Sequence, residues 1–468
     1  MAKVSALLLP SERRAISGLA GLYASRMLGL FMVLPVLALY ADELAGSTPL
    51  LVGVALGVYG LTQACLQIPF GLLSDRFGRK RIIAVGLVLF ALGSAVAALA
   101  DSITGIIAGR ALQGSGAVAA AIMALLADQT REQVRTAAMA TIGLSIGIAF
   151  AVAMALGPWL AAKAGLSGVF WFTTGLTAVG LFVLWRWVPA APRRVKHQDV
   201  GMDRGQLKRV LVRPDLWRID LSIFALHLTL MASFVAVPLR LVDAGIEASW
   251  HGLAYLLIMG GAFVLMIPLV IVAEKKQLMK PVCLLAIGVI TLSLAGLGLP
   301  LSHGVGLFVL LLTFFTGFNL LEAMLPSMLS KLAPAGAKGT AMGVYSTGQF
   351  LGAFLGGTLG GWLSSAFGLN AVFLGCAALA LAWWAIMWSM PKPPPLASEV
   401  VALDEAPAET LDALLERLAQ VAGVEDVMLA PEERVAYLKV NRQTLDEAAL
   451  SRLLPAAATH SRDAGDAG

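Results

Sequence analysis

Four ionisable side chains stand deep inside otherwise apolar stretches of this chain. They are Arg26, Arg110, His227 and Glu322. Because a charge surrounded by apolar atoms is costly, each of these groups needs a partner, water or a chemical role. A carboxyl group shielded from water can hold a proton and lose it when a cation arrives beside it. Glu322, which follows Asn319 by one helical turn, is therefore our first candidate for a proton or cation site.

Each of these groups also has a purely structural explanation. Glu322 and His227 could simply form hydrogen bonds to neighbouring helices. Arg110 lies about seven residues from the end of its apolar stretch, so its long side chain could reach water. Arg26 lies roughly 16 Å deep at 1.5 Å per residue, too far for that route, and we expect it to face an internal cavity. Other polar side chains could line the same cavity: Tyr59, Gln63, Gln67, Tyr255 and Gln349.

Helices that cross a lipid bilayer must hold these side chains in place. Of the 468 residues, 58% are hydrophobic and 13% are charged, against about 25% charged in an ordinary soluble domain. Too few charges remain to cover a surface in water, so lipid is the main solvent. A crossing takes about 20 apolar helical residues. Twelve segments qualify: 15–40, 49–73, 82–100, 103–127, 137–162, 168–188, 217–240, 249–272, 280–299, 303–330, 338–364 and 368–390.

The basic residues predict the orientation of the chain. Outside the apolar spans, nearly all Lys and Arg of the membrane part fall on the side of the N-terminus, and Lys163 and Arg240 fall on the opposite side. Positively charged connections resist translocation across a membrane. We therefore expect both termini in the cytoplasm.

The longest polar break between spans divides them into two sets of six. An alignment of the sequence with itself matches 135–171 to 338–374 without a gap and pairs Gly157 with Gly360. Such a parallel repeat is typical of two six-helix bundles that face each other across a central cavity. We expect bundles at 1–190 and 215–392, joined by a cytoplasmic linker at 191–214.

Beyond the last span the chain becomes rich in proline and then acidic. We predict a linker at 393–408, a soluble α/β domain at 409–456 and a disordered tail at 457–468. Residue spacing predicts the order helix, strand, strand, helix, at 410–421, 424–429, 435–440 and 445–454. A strand near 399–403 would make this unit nearly ferredoxin-like. The tail contains no cysteine, so we expect no metal or other cofactor there, and we interpret it as a module for self-contact, protein contact or regulation.

A polar motif separates the second and third spans. Its members are Gly71, Asp75, Arg76, Gly78, Arg79 and Lys80. Glycines permit a tight turn, and a carboxylate there can pair with a nearby arginine or with helix amides. Basic residues in such a place could also be simple anchors of orientation, but that explanation leaves Asp75 and its flanking glycines unexplained.

Further motifs lie inside the spans. The fourth span contains Arg110, Gln113 and Gly114 in the order R-x-x-Q-G. The fifth contains Gly157 and Pro158, which partly match a glycine-rich antiporter motif. In the eleventh, Gly348, Gly352 and Gly356 recur every four residues and permit close helix packing, which could also serve sliding between helices.

The motif from Gly71 to Arg81 resembles the G-x-L-x-D-R-x-G-R-[KR] signature of the major facilitator superfamily. The whole pattern is most similar to the twelve-span drug:proton antiporters, and the first span with the acidic tail resembles their YajR-like subgroup. This resemblance implies a bacterial inner-membrane carrier whose two halves rock. It also implies that the motif around Asp75 holds the halves together on the cytoplasmic side, with Asp128 as a partner of Arg79.

The combined expectation is an all-α membrane protein of twelve helices with a small soluble α/β domain. Its predicted function is proton-coupled efflux of a small amphipathic or drug-like molecule. Efflux of a sugar or other metabolite is the alternative, as is a membrane sensor or scaffold that signals through the tail. We expect lipid, a small molecule and protons as partners, and neither nucleic acid nor enzymatic chemistry, because no nucleotide-binding or hydrolase motif is present.

Overall fold

Long apolar helices make up most of the computed structural model, which describes residues 8–189, 204–299, 304–391, 396–402, 411–430, 435–441 and 444–453. The first half contains α1 (Pro10–Met32), α2 (Pro49–Phe77), α3 (Arg79–Ala98), α4 (Ile103–Ser115), α5 (Ala119–Asp128) and α6 (Glu132–Arg186). After α7 (Arg204–Leu211), the second half contains α8 (Pro214–Asp243), α9 (His251–Lys275), α10 (Met279–Leu297), α11 (Gly304–Leu332), α12 (Lys338–Phe367) and α13 (Leu369–Trp388).

The helices give twelve membrane crossings within the described residues. Eleven helical stretches are long and apolar enough to cross a bilayer, and one of them, Ala137–Arg186, has 50 residues. Gly165 interrupts this stretch with non-helical angles, φ 66 and ψ −176. Both of its arms pack on α1, with Gly157 beside Met32 and Thr173 beside Gly29. The chain therefore turns back at Gly165, and the expected all-α membrane fold is confirmed.

The internal repeat is visible in the backbone at two matching glycines. Gly368, between α12 and α13, has φ 82 and ψ 176, close to the angles of Gly165. Positive φ favours glycine because it has no Cβ atom. The same reversal therefore ends the fifth and the eleventh crossing.

Two predicted spans differ from the observed helices. The first was expected to run to residue 40, but α1 ends at Met32 and the chain continues in turns around Pro35, whose nitrogen cannot donate to a helix. The fourth was expected to be continuous over 103–127, but it divides into α4 and α5 at Gly116, whose carbonyl accepts a hydrogen bond from Arg26 instead. An arginine in the first helix thus fixes a break in the fourth.

The segment between the halves contains the short helix α7, where we expected only a polar linker at 191–214. Val210 of α7 is buried, and its basic residues Lys208 and Arg209 are exposed. This helix packs against α8 and α12 of the second half. Residues 190–203 lie outside the described residues.

The C-terminal unit is a three-stranded antiparallel sheet with two helices on one face. Its elements are β1 (Leu396–Ala402), α14 (Leu411–Ala419), β2 (Val424–Ala430), β3 (Val435–Asn441) and α15 (Glu447–Leu453), with strand order β1-β3-β2. Leu418, Leu438 and Leu450 form part of its core. The sheet therefore takes in 396–402, within the segment predicted as a linker, and the tail predicted at 457–468 lies outside the described residues.

We call the membrane face with the start of α1, the α2–α3 turn and α7 the basic face, and the other one the opposite face. The two halves are sealed together towards the opposite face. A Cβ atom built on Gly53 of α2 would lie 2.9 Å from Gly361 Cα of α12, and one on Gly57 would lie 2.9 Å from Phe354 Cα. Aromatic rings extend the seal, since Phe31 and Phe150 of the first half lie 5.0 Å apart and Phe150 lies 5.9 Å from Phe318 of the second.

The seal does not extend to the basic face. On the basic side of the glycine contacts, Gln67 of α2 donates a hydrogen bond of 2.7 Å to Thr347 of α12. Beyond it Leu72, Leu73 and Phe77 of α2 are exposed, and we find no packing of α5 against α11 in the part of the chain that the structure describes. The space between the halves therefore opens towards the basic face.

Candidate functional site

Three helices of the second half bring a carboxyl group, an imidazole and an amide together. His227 Nε2 of α8 lies 3.2 Å from Glu322 Oε1 of α11 and 2.9 Å from Gln349 Nε2 of α12. His227 Nδ1 lies 3.3 Å from the Ile223 carbonyl oxygen. The Glu322 side chain stays 32% exposed although it lies in the middle of its helix. It therefore faces the space between the halves.

This geometry fits one shared proton. With Nδ1–H donating to Ile223, Nε2 is an acceptor for the Gln349 amide. Glu322 Oε1 lies 3.2 Å from Nε2 without a hydrogen-bond partner among the described residues, and because the one lone pair of Nε2 is taken by the amide, the carboxyl group lies there without repulsion only when it is protonated. If the proton lies on Nε2 instead, it is donated to the carboxylate and the Gln349 amide turns its oxygen inward. Without the proton, Glu322 and His227 present two acceptors to each other, and the site carries one negative charge.

Two further groups of this cluster were missed in the sequence. Asp220 of α8, whose carbonyl oxygen lies beside Gly348, and Tyr345 of α12, one turn before Gln349, each have a buried side-chain oxygen without a hydrogen-bond partner in the described residues. Asp220 lies near the start of its predicted span, 217–240, and was not singled out there. Asp220 precedes His227 by seven residues, so both lie on one face of the helix. This spacing could have identified Asp220 as a site residue from the sequence.

Asn319 is buried one turn before Glu322, and its Nδ2 donates no hydrogen bond among the described residues. Phe318 lies beside His227, with ring centroids 5.8 Å apart. The site thus combines unsatisfied polar atoms with an aromatic wall. Such a lining suits a molecule that has both a polar and an apolar part.

Arg26 lies inside the first half, at a separate polar cluster. Its Nη2 donates to Tyr59 Oη at 2.7 Å, to Gln63 Oε1 at 2.8 Å and to the Gly116 carbonyl at 2.9 Å. It is 1% exposed, so it does not face a cavity as we expected. Its guanidinium also lies over the Phe90 ring, 5.5 Å from the centroid.

Arg110 holds α4 against α2 rather than reaching water. It is fully buried, donates to the carbonyls of Ala55 and Leu56 at 3.3 Å each, and donates to Gln113 Oε1 at 3.1 Å. Gln113 in turn donates to Ser94 of α3 at 2.7 Å. No acidic side chain contacts Arg26 or Arg110 in the described residues.

The α2–α3 turn joins α2, α3 and α5. Arg79 pairs with Asp75, donates to Ser74 Oγ at 2.8 Å and lies 3.2 Å from Asp128 Oδ2, which is the pairing we expected. Gly78 has φ 102, a value that requires glycine there. Around this core, Lys80 donates to the Val188 carbonyl at 2.8 Å and Arg76 lies over the Phe77 ring. A Cβ atom built on Gly71 would lie 3.7 Å from Ala120 Cβ, an ordinary van der Waals contact.

The glycine strip of α12 packs within the second half. Gly352 and Gly356 lie against the backbone of α8 at Phe224 and Leu228, and Gly348 lies near the Asp220 carbonyl. In the first half, Gly157 lies against Met32 next to Pro158, which α6 accommodates inside the helix. Close packing thus accounts for these glycines, whereas the seal between the halves uses Gly53, Gly357 and Gly361.

An ion pair on the basic face, formed by a buried carboxylate and a half-exposed arginine, was also missed. Glu12 of α1 accepts from Arg131 three times, from the backbone nitrogen at 3.0 Å, from Nε at 2.9 Å and from Nη2 at 3.0 Å. It also accepts from the Leu9 nitrogen at 2.9 Å. Glu12 therefore ties the start of α1 to the start of α6.

We expect Glu12→Gln to lower the stability of the first half. The amide keeps one acceptor but loses the charge-assisted bonds, each of which contributes about 1.5–3 kcal/mol when well formed. Because the Arg131 side chain is half exposed, we expect a loss near the lower limit, about 1.5 kcal/mol. Thermal unfolding in detergent measures it, with the exposed Glu43→Gln as control. An unfolding temperature equal to that of Glu43→Gln would contradict this role.

Two repeated six-helix halves, polar groups at depth and the α2–α3 turn together define a membrane transport protein. The sequence profile of the Major Facilitator Superfamily matches residues 19–357 and, in a second match, 279–431. The chain belongs to this superfamily.

Individual relatives agree with this assignment. The chain is 47% identical over 434 residues to the inner membrane transport protein YajR of Escherichia coli (strain K12), covering 92% of this chain and 95% of that protein. It is 29% identical over 330 residues to the multidrug resistance protein MdtH of Aeromonas salmonicida (strain A449), covering 68% and 79%.

Solved structures share the fold at low identity. A D-xylose-proton symporter superposes with a TM-score of 0.66 at 16% identity, covering 82% of this chain and 98% of that one. A bacterial homologue of the human lysosomal transporter Spinster, in an inward-facing and occupied conformation, superposes with a TM-score of 0.67 at 12% identity, with the same coverage. These structures show the shared fold, and the family match together with the 47% identical transport protein identifies the chain as a transporter rather than an enzyme.

Proposed function

We propose that this transporter exchanges protons for a small amphipathic, cationic molecule and expels that molecule from the cytoplasm. The observation that carries the proposal is the contact between Glu322 and His227, which is favourable with one proton and unfavourable without it. Protons and a cation then compete for the same negative charge. Such competition couples the two flows, because a ligand shifts an equilibrium by its differential affinity for the two states.

The proposed cycle uses the two faces in turn. We place the basic face in the cytoplasm of a bacterial inner membrane, following the distribution of Lys and Arg. In the present conformation a cation enters from the cytoplasm, replaces the proton at Glu322 and packs its apolar part against Phe318. After the halves rock, a proton from the outside neutralises Glu322 and releases the cation.

The α2–α3 turn is proposed as a conformational switch on the cytoplasmic side. Asp75 is half exposed and its pairing with Arg79 keeps it at the surface of the first half. The Arg79–Asp128 pair holds the turn in place while the halves are apart. When the cytoplasmic side closes, Asp75 is the carboxylate positioned to meet the second half. Arg26, Tyr59, Gln63, Arg110 and Gln113 are proposed to keep the first half rigid during this motion.

Reconstitution into liposomes tests the function. A thermal-shift screen of amphipathic cations, neutral sugars and anions against the purified protein selects a ligand, and its flux is then measured with and without a pH gradient. We expect a cation to stabilise the protein more at alkaline than at acidic pH and to move against its gradient when protons move the other way. Flux that is independent of the pH gradient would contradict the proposal.

A further inference from the structure

The sheet of the C-terminal unit has a face that its own helices do not cover. Two cross-strand pairs lie on it, Asp426 with Lys439 and Met428 with Tyr437. We call these four residues the docking face. Lys439 and Tyr437 are 4% and 5% exposed although they lie on a face that an isolated domain would present to water. The membrane part of the same chain covers them.

Lys439 binds the end of α11. Its Nζ donates to the carbonyl oxygens of Ser330 at 2.7 Å and Lys331 at 3.2 Å. These carbonyls belong to the last turn of α11, where backbone oxygens have no partner inside the helix and a cation is favourable. A lysine of the soluble domain thus caps a membrane-crossing helix.

Asp426 binds two segments at once. Its Oδ2 accepts from the Ala335 nitrogen at 2.8 Å, in the connection between α11 and α12. Both carboxylate oxygens also accept from Arg209 Nη2 of α7 at 3.3 Å. The helix α7 belongs to the chain segment that joins the two halves. The Asp426 carboxylate therefore holds this helix next to the α11–α12 connection of the second half.

The other pair adds apolar contact at the same place. Tyr437 packs against Ala335 with Met428 beside them. Met428 Sδ lies next to Gly336 and accepts from Gln206 of α7 at 3.5 Å. The docking face therefore matches one composite surface, formed by the end of α11, the connection 333–337 and α7.

We propose that docking of the C-terminal unit is an autoinhibitory contact that stabilises the conformation open at the basic face. Rocking that closes the basic face brings the first half towards the ends of α8, α11 and α12 on that face, where the docked unit holds α7 and the connection 333–337. While Asp426 holds α7, that movement is opposed, so the unit must leave its site before the basic face closes. The inference rests on the alternating motion in the proposed function, but not on protons or on a particular substrate.

The test uses a parent chain in which the native cysteines are replaced and Ala353→Cys is introduced at the α2–α12 seal. Two double variants are made in this parent chain and compared with it. Asp426→Asn with Lys439→Met removes the polar contacts of the docking face. Glu416→Gln with Arg452→Met makes the same charge changes on exposed helical positions of the same unit and is the control. The rate of hydrogen exchange in residues 331–338 measures docking of the C-terminal unit. The rate at which a membrane-impermeant thiol reagent, added at the opposite face, labels the cysteine of Ala353→Cys measures opening of the seal.

We expect faster exchange in 331–338 and labelling that is about five-fold faster or more for the docking variant, the lower end of the range for coupling between sites. The control should match the parent chain in both. Unchanged exchange would show that the unit does not dock, and faster exchange with unchanged labelling would show that docking does not bias the halves. Either result would overturn the proposal, and neither bears on proton coupling.

Discussion

Glu322→Gln should abolish transport driven by a pH gradient while leaving the protein folded in the membrane. Glutamine has nearly the same shape as a protonated glutamate and carries no charge, so the contact between α8 and α11 survives. It cannot release a proton, however, and the site can no longer become negative when a cation arrives. We expect proton-driven flux to fall by about 100-fold or more, as is typical when a group that must transfer a proton is removed.

A downhill measurement separates coupling from folding. Exchange of labelled for unlabelled substrate across liposomes needs no proton, and we expect Glu322→Gln to retain part of it. Glu247→Gln alters an exposed carboxylate in the same half and should behave as the parent. Proton-driven flux at the parental rate in Glu322→Gln would exclude this residue as the coupling site.

Gly53→Val should prevent the seal at the opposite face from forming. The added Cβ atom would lie 2.9 Å from both Gly361 Cα and Gly361 N, which is closer than such atoms approach in proteins. Because these neighbours are backbone atoms, they cannot move aside as a flexible side chain would. We expect the halves to remain apart there, with transport lost and thiol labelling of Ala353→Cys from that face about ten-fold faster, a shift that corresponds to 1.4 kcal/mol.

Gly175→Val is the matched control for this substitution. Gly175 is an exposed helical glycine in the second arm of α6, and a Cβ atom built there meets nothing within 4 Å. It should retain transport and parental labelling. Parental labelling in Gly53→Val would show that the glycine contact does not close the opposite face.

Local sequence patterns predicted the helices and the polar groups, because each of these features is determined by short stretches of chain. Apolar runs of about 20 residues can only be crossings, and the repeat of Gly165 at Gly368 followed from an alignment of the chain with itself. Glu322 and His227 were each recognised because an ionisable group is rare at that depth. Their mutual contact was not predictable, since it depends on how α8, α11 and α12 pack together.

The remaining differences arise from contacts between distant segments. The break between α4 and α5 depends on Arg26, which lies in another helix. Strand β1 follows a run of prolines that is typical of a linker, and its partner β3 lies about 40 residues away. The docking face was invisible in the sequence, because Asp426 and Lys439 look like ordinary surface charges until the sheet places them side by side.

Distances across both faces test the central claim, that two rigid halves open to one side at a time. One pair of spin labels would replace Leu50 and Phe367 near the seal, and the other would replace Phe77 and Lys276 on the basic face; these four residues are exposed. On addition of substrate or a change of pH, the account predicts that the first distance lengthens as the second shortens. Distances that lengthen together, or that never change, would contradict it.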